Sequence, residues 1–130
     1  PEPTPGVSRV SIVGRDVGTC IGTTVFHVDS TVEKCALHAG LVERGERKTI
    51  YIHFLSEARI FYGSTSRGIR SESFWFEYPP SHSKAGQLEP RAAFYLSASP
   101  TPPTDVLVPT ATMQRVVLFH TPADSVGALR

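Results

Sequence analysis

The chain has 130 residues, of which 40% are hydrophobic and 19% are charged, and its formal net charge is +1 at pH 7. This size suits one globular domain with its own core and leaves no room for a second independent domain. The near-neutral charge argues against a nucleic-acid partner, which would require clustered Lys and Arg, and no apolar run reaches the ~18 residues of a membrane span.

The chain opens with an extended, Pro-rich segment. Prolines at positions 1, 3 and 5 disfavour regular structure, so residues 1–9 are predicted to form an extended N-terminal arm. The first residue is Pro1 rather than Met, which we interpret as a sign of a removed leader or of trimming. An organelle-targeting leader would suit a reducing compartment.

Residues 29–40 carry the signals of one complete short helix. Ser30 and Glu33 match the S-x-x-E capping box, in which each side chain bonds the other residue's amide. Gly40 suits the left-handed residue beyond the helix end. Four apolar residues share one face between these signals: Val32, Cys35, Ala36 and Ala39. We therefore predict a helix over residues 31–39, buried because so short a helix needs tertiary packing.

The segment that follows is predicted to be β-structure. Residues 49–55 alternate strictly and carry bulky side chains on both sides, which predicts a central strand covered on both faces. A second strand is predicted over residues 59–62 after a polar turn, and a third over 73–78, which Pro79 ends because proline cannot donate to a ladder. Between them lies a loop rich in small hydroxyl residues, 63–68, whose closing glycine can take a positive φ.

The C-terminal part is organised differently. A polar linker over residues 81–90 precedes one more predicted strand at 91–97, and residues 99–130 are predicted to form a Pro-rich C-terminal arm. Within this arm we predict an added strand at 114–120, because these residues are apolar and β-prone. Such a strand either returns to the domain as an edge strand or pairs with another chain. Its candidate partner-binding residues are Val116, Val117, Leu118 and Phe119.

Three sequence blocks occur in a characteristic order. They read G-T-T-V-F-H-V-D-S over 22–30, A-L-H-A-G over 36–40 and Y-G-S-T-S-R-G-I-R-S over 62–71. In this order they resemble the LCCL domain, named after a Limulus clotting factor, cochlin and a lung protein. The resemblance covers residues 10–78 and implies a single α+β, mainly β domain over 10–98, with one short central helix buried between β-strands. It also implies structural roles for the motif residues Gly22, Asp29, Ser30, Glu33, His38, Gly40, Gly63 and Gly68.

The chain departs from the family pattern at its cysteines and at one turn. Many extracellular members carry four cysteines in two disulfides, and one of these cysteines stands at the position of Glu33. Here Cys35 stands where the family usually has alanine, and Cys20 has no obvious counterpart, so the resemblance is to a divergent member without the family disulfides. Whether Cys20 and Cys35 bridge each other stays open. Arg67 replaces the usual asparagine before the turn glycine.

We assign no catalytic, cofactor-binding or metal-binding residue and expect that the protein is not an enzyme. The sequence contains no nucleophile elbow, no C-x-x-C or H-x-x-x-H pair and no phosphate-binding glycine loop. Cys35 lies in the apolar helix, which predicts an inert thiol. His38, at the helix end, is interpreted as a structural residue that bonds a loop carbonyl or hydroxyl.

Two functions remain open. We favour a non-catalytic accessory subunit of a larger intracellular assembly, organellar and for example mitochondrial, because the family disulfides and asparagine-linked glycosylation sites are absent. Protein subunits would then be its partners. The alternative is a ligand-binding module, because extracellular relatives are suspected of binding polysaccharide or lipopolysaccharide. Such a glycan or anionic group would contact the candidate ligand loop, residues 62–71, at Tyr62, Ser64, Arg67 and Arg70.

Overall fold

The computed structural model describes residues 7–100 and, further along, the backbone of two strands within 105–108 and 114–117. In chain order the elements are β1 (Val7–Val13), β2 (Val25–His27), α1 (Val32–Ala39), β3 (Arg47–Ala58), β4 (Thr65–Ser66), β5 (Ile69–Arg70), β6 (Arg91–Ser97), β7 (Asp105–Val108) and β8 (Gln114–Val117). The predicted α+β, mainly β class with one short helix is confirmed. Among the described residues, no helix is long and apolar enough to cross a membrane.

Four strands form an antiparallel sheet in the order β1-β3-β6-β2. The long strand β3 is central, because it pairs with β1 on one side and with β6 on the other. At Ile52 these partners are Ser8 and Leu96. Residues 7–9, which the sequence analysis assigned to the N-terminal arm, belong to β1 and pair with β3.

The alternation in β3 buries apolar side chains on both faces of the sheet. Ile50, Ile52 and Phe54 belong to the larger apolar cluster, which includes the side chains of α1. Leu55 belongs to a second cluster with Val25 and other residues of the opposite face. The prediction of a central strand covered on both faces is therefore confirmed. Each such side chain contributes roughly 1.5–3 kcal/mol when fully buried.

The helix α1 is buried as predicted, but its N-terminus is formed differently. Thr31 is the N-cap and makes no capping hydrogen bond with its side chain. The hydroxyl of Ser30 instead accepts a bond from the amide of Ile21 at 3.0 Å, so it satisfies a neighbouring loop rather than the helix. The predicted capping box of Ser30 and Glu33 is therefore wrong, because tertiary contact competes for the Ser30 hydroxyl.

The C-terminus of α1 ends at the predicted glycine. Gly40 has a φ of 77°, in the left-handed region. Its amide donates to the carbonyl of Leu37, and the amide of Leu41 donates to Ala36. This pair of bonds is the Schellman arrangement, which satisfies carbonyls that the helix leaves free.

Two of the predicted strands are not strands in the structure. Segment 59–62 forms a single bridge between Phe61 and Phe74, and segment 73–78 adds one more between Glu77 and Leu88. The residues predicted to form a polar turn before them continue β3 instead, with a register shift between Leu55 and Ala58. The aromatic alternation nevertheless buries Phe61 completely.

The C-terminal arm contains the two strands β7 and β8, which pair with each other in a separate two-stranded sheet. Of the strand predicted at 114–120, the structure describes residues 114–117 as β8. In the structure β8 pairs with β7, a strand of the same arm that was not predicted from the sequence. Leu118, Phe119 and residues 1–6 lie outside the described residues.

Candidate functional site

The loop region 62–71 contains a tight hairpin. Strands β4 and β5 pair through Thr65 with Arg70 and Ser66 with Ile69. The two residues between them, Arg67 and Gly68, have φ values of 54° and 76°. Positive φ at both central positions is typical of the type I′ turn, which glycine and asparagine adopt most readily. The backbone of Arg67 thus occupies a conformation that its side chain disfavours.

The side chain of Arg67 caps the end of α1. Its Nη1 donates to the carbonyl oxygen of His38 at 3.0 Å and to the hydroxyl of Ser66 at 3.0 Å. A Cβ at Gly40 would lie 2.4 Å from Nε of Arg67, so any larger residue there would strain its φ and would displace the Arg67 side chain. The guanidinium lies at the negative end of the helix dipole, which favours a cation.

His38 connects α1 to the same loop from the inside. Its buried Nε2 lies 3.3 Å from the carbonyl oxygen of Ser64 and 3.2 Å from its hydroxyl. Burial lowers the pKa of His38, the hydrogen bond to the Ser64 backbone opposes this, and the charge of Arg67 lowers the pKa further. A carbonyl oxygen can only accept, so the neutral ring donates to Ser64 from Nε2, the type of bond that the sequence predicted.

The small hydroxyl residues of the loop bond one another. Thr23 donates to the carbonyl of Tyr62 at 2.7 Å, and its oxygen lies 2.6 Å from the hydroxyl of Ser64. The amide of Ser64 donates to the hydroxyl of Ser71 at 2.8 Å. At Gly63 a Cβ would lie 2.4 Å from the carbonyl oxygen of Ser71, which requires glycine. Ser64 thus makes hydrogen bonds to several residues within the domain.

The other motif residues lie before α1 or in its first turn. Gly22 has a φ of 108°, and a Cβ there would lie 2.2 Å from the carbonyl oxygen of Val25. The amide of Asp29 donates to Nδ1 of His27 at 3.0 Å. Glu33 lies in the first helical turn, where its charge favours the positive end of the dipole.

A groove of about 460 Å³ lies beside this hairpin. Its lining comes from four parts of the chain: Thr23, Thr24 and Phe26, then His38, Ala39 and Leu41, then Ser66 and Arg67, and finally residues 95–98 of β6 and its end. Of the four residues predicted to contact a ligand, Arg67 lines the groove. Tyr62, Ser64 and Arg70 are not part of its lining.

A second surface feature is an exposed aromatic segment, residues 74–76. Trp75 is 46% exposed and Phe76 is 41% exposed. The ring of Trp75 lies 5.8 Å from that of Tyr62. The guanidinium of Arg91 lies 5.3 Å from the ring of Phe74 and 5.2 Å from that of Phe76. The strand predicted over 73–78 did not indicate this exposure, although three consecutive aromatic residues cannot all face one core.

The cysteine and histidine side chains of the described residues do not form a metal site. Within the described part of the chain, no group of three or more His, Cys, Asp or Glu side chains is close enough to hold a metal ion. His27 packs between the rings of Phe61 and Phe74, and His53 contacts the hydroxyl of Ser97. Cys20 and Cys35 are both buried free thiols.

These features define a small antiparallel domain that encloses one helix, with a polar hairpin closed over the end of that helix. A model of the LCCL domain matches residues 12–80, more than half of the chain. The chain therefore belongs to the LCCL domain family, and the predicted resemblance over 10–78 is confirmed. The family identity supports a binding or protein-interaction module. No curated protein and no solved structure matches the chain.

Proposed function

We propose that this LCCL domain is a non-catalytic accessory subunit that binds another protein subunit through the aromatic segment, residues 74–76. The observation that carries the proposal is the exposure of Trp75 and Phe76, which are adjacent and are two of the three large apolar side chains exposed among the described residues. Trp, Tyr and Arg are the residue types that dominate the binding energy of protein interfaces. The segment and its neighbours together present all three types, because Tyr62 and Arg91 contact its rings.

The contacts of the segment support prearranged binding. Arg91 lies over both Phe74 and Phe76, and its Nε is 3.0 Å from a carboxylate oxygen of Glu89. Aromatic side chains have few rotatable bonds, so little conformational entropy is lost when a partner covers them. Burying Trp75 and Phe76 against a partner would also remove apolar surface from water.

For the compartment we propose a reducing, intracellular one, and an organelle such as the mitochondrion suits it. The absence of asparagine, and hence of glycosylation acceptors, supports this proposal. The absence of the family disulfide framework supports it as well. The Pro-rich arms, residues 1–6 and 99–130, would add further contacts across neighbouring subunits.

The proposal is tested by site-specific photocrosslinking in the cells that make the protein. A photoreactive phenylalanine, p-benzoylphenylalanine, replaces Trp75 in one variant and Val17 in the control, because Val17 is also apolar and 50% exposed. We expect one discrete covalent adduct from position 75 and none from position 17. The absence of an adduct at position 75, or the same adduct at both positions, would contradict the proposal.

A second candidate function is ligand binding in the groove beside the hairpin, because the cationic side chain of Arg67 lines a space of about 460 Å³ together with hydroxyl residues. A glycan or an anionic group suits this lining. Titration with a soluble lipopolysaccharide core oligosaccharide, followed by NMR, should shift the amides of residues 23–24 and 95–98 saturably. Arg67→Ala should abolish these shifts and Arg70→Ala should retain them. Equal loss in both variants, or no shift in the native chain, argues against this candidate.

A further inference from the structure

Two buried thiols meet where the loop before β2 crosses the helix. The sulfur atoms of Cys20 and Cys35 are 2.9 Å apart, and the side chains are 1% and 0% exposed. We propose that this pair is a disulfide-forming site. Oxidation by a small-molecule disulfide such as oxidised glutathione forms a Cys20–Cys35 bond, which joins the loop to α1. This inference is independent of the proposed function, because neither cysteine belongs to the groove or to the aromatic segment.

The surrounding backbone already holds the two cysteines together. The amide of Thr31 donates to the carbonyl of Thr19 at 2.7 Å, and the amide of Ile21 donates to the hydroxyl of Ser30 at 3.0 Å. On the other side of the loop, the amide of Glu72 donates to the carbonyl of Cys20 at 2.7 Å. Residues on both sides of Cys20 are thus bonded to the residues that precede α1.

Little movement separates this arrangement from a covalent bond. A disulfide requires about 2.05 Å between the sulfurs, so the two atoms must approach by only about 0.9 Å from their distance of 2.9 Å. Strain is the usual reason that a new disulfide fails to stabilise a protein, and a small displacement limits it. The closed loop would span the whole segment from Cys20 to Cys35, which includes β2.

The chemistry proceeds by thiol–disulfide exchange. One cysteine loses its proton to water and its thiolate attacks the small disulfide, forming a mixed disulfide and releasing one small thiolate. The second cysteine, also deprotonated, attacks the protein sulfur of the mixed disulfide and releases the second small thiolate. The two protein thiols together lose two protons and two electrons, and the small disulfide is reduced to two thiols.

Burial decides how fast this reaction runs. Burial raises the pKa of the Cys35 thiol, and the neighbouring Cys20 raises it further, so little thiolate exists in the folded protein. The reaction therefore requires the loop around Cys20 to open, and it is slow while the loop is closed. The same burial protects the disulfide from reductants once it has formed. In a reducing compartment the pair stays as two thiols and closes on exposure to an oxidant.

The test uses the full chain, fully reduced and then incubated with oxidised glutathione. Trypsin cleaves after Arg15, Lys34 and Arg44, so the disulfide joins peptide 16–34 to peptide 35–44 in a digest without reductant. We expect this linked pair, and we expect the oxidised protein to melt at least about 5 °C higher than the reduced one. Cys35→Ala and Cys20→Ala serve as controls and should show no difference between oxidising and reducing conditions.

Several outcomes overturn the inference. They are recovery of both thiols unchanged, single glutathione adducts without closure, or disulfides only between two chains. A linked pair that lowers the melting temperature would also overturn it, because the bond would then strain the native fold rather than fit it.

Discussion

Arg67 links the hairpin turn to the end of the helix. Its backbone has a φ of 54° between β4 and β5, and its guanidinium donates to the carbonyl of His38. The left-handed backbone costs roughly 1 kcal/mol for a residue other than glycine. A hydrogen bond from a charged group contributes about 1.5–3 kcal/mol when well shielded, and less at the surface. The side-chain contact therefore offsets the cost of the turn.

We predict that Arg67→Ala lowers the free energy of unfolding by about 1 kcal/mol, because it removes the bond to the helix end and retains the unfavourable φ. Arg67→Asn should lose less, since asparagine tolerates the left-handed conformation. Arg70→Ala, at an exposed position on β5, is the control and should stay within about 0.5 kcal/mol of the native chain. Urea titration measures all three, and equal values for Arg67→Ala and Arg70→Ala would refute this account.

Two buried histidines give the fold a pH dependence. Nδ1 of His27 accepts the amide of Asp29, so the neutral ring carries its proton on Nε2. Protonation of Nδ1 would break that bond. Burial lowers the pKa of His27, and Arg91 adds to this while Asp29 opposes it. Burial also lowers the pKa of His38. In both cases the folded protein favours the neutral ring.

The sign of the effect follows from proton binding. Below the ordinary pKa of 6.5 the unfolded chain binds more protons than the folded one, so stability rises with pH. The contribution of the two rings is complete above pH 6.5 and is lost as the pH falls through their folded pKa values. We predict a falling unfolding free energy between about pH 7 and 5, where most carboxylates are still ionised.

The double variant His27→Asn, His38→Gln should flatten this slope, because both amides keep the neutral hydrogen bonds and do not titrate. Urea titrations across the pH range measure it. An unchanged slope in the double variant would assign the pH dependence to other groups.

At the scale of elements, α1 depends on its buried face. Leu37 packs in the larger apolar cluster, and its side chain fills the space beside Gly14. Leu37→Ala should lower the unfolding free energy by roughly 2–5 kcal/mol, because it leaves a cavity in a packed core. Lys34→Ala on the same helix removes the ion pair with Asp16 and should cost less than about 1 kcal/mol. A loss below about half a kcal/mol for Leu37→Ala would be incompatible with a buried helix.

The elements that the sequence predicted correctly are those that local pattern determines. Apolar spacing and Gly40 predicted α1, and strict alternation predicted the central part of β3. The capping box failed because the hydroxyl of Ser30 bonds Ile21, a partner distant in sequence. The strands predicted at 59–62 and 73–78 failed for the same reason, since ladder pairing depends on neighbours that alternation does not reveal.

The candidate site was predictable only in part. The resemblance to the LCCL pattern indicated that Arg67 replaces an asparagine, but not that its side chain would bond the helix end. Ser64 has the right chemistry for a ligand, yet its bonds to Thr23, His38 and Ser71 occupy it within the fold. The exposure of Trp75 depends on which other elements pack against the segment, and the sequence of the segment does not encode that.

At the scale of the whole molecule, the domain combines a closed core with one exposed aromatic segment. The two apolar clusters cover both faces of the sheet, and the hairpin covers the end of α1. Among the described residues the large exposed apolar side chains are Val17, Trp75 and Phe76. Two of these three are adjacent, which is the arrangement expected of a contact surface for another protein.

The most direct test of this account is the native mass of the protein in extracts of the cells that make it. We predict that the native protein migrates in a complex far larger than its monomer, that Trp75→Ser with Phe76→Ser releases it as a folded monomer, and that Val17→Ser leaves it in the complex. Circular dichroism of each purified variant verifies its fold. Retention of the double variant in the complex at full stoichiometry, or a native chain that migrates only as a monomer, would contradict the account.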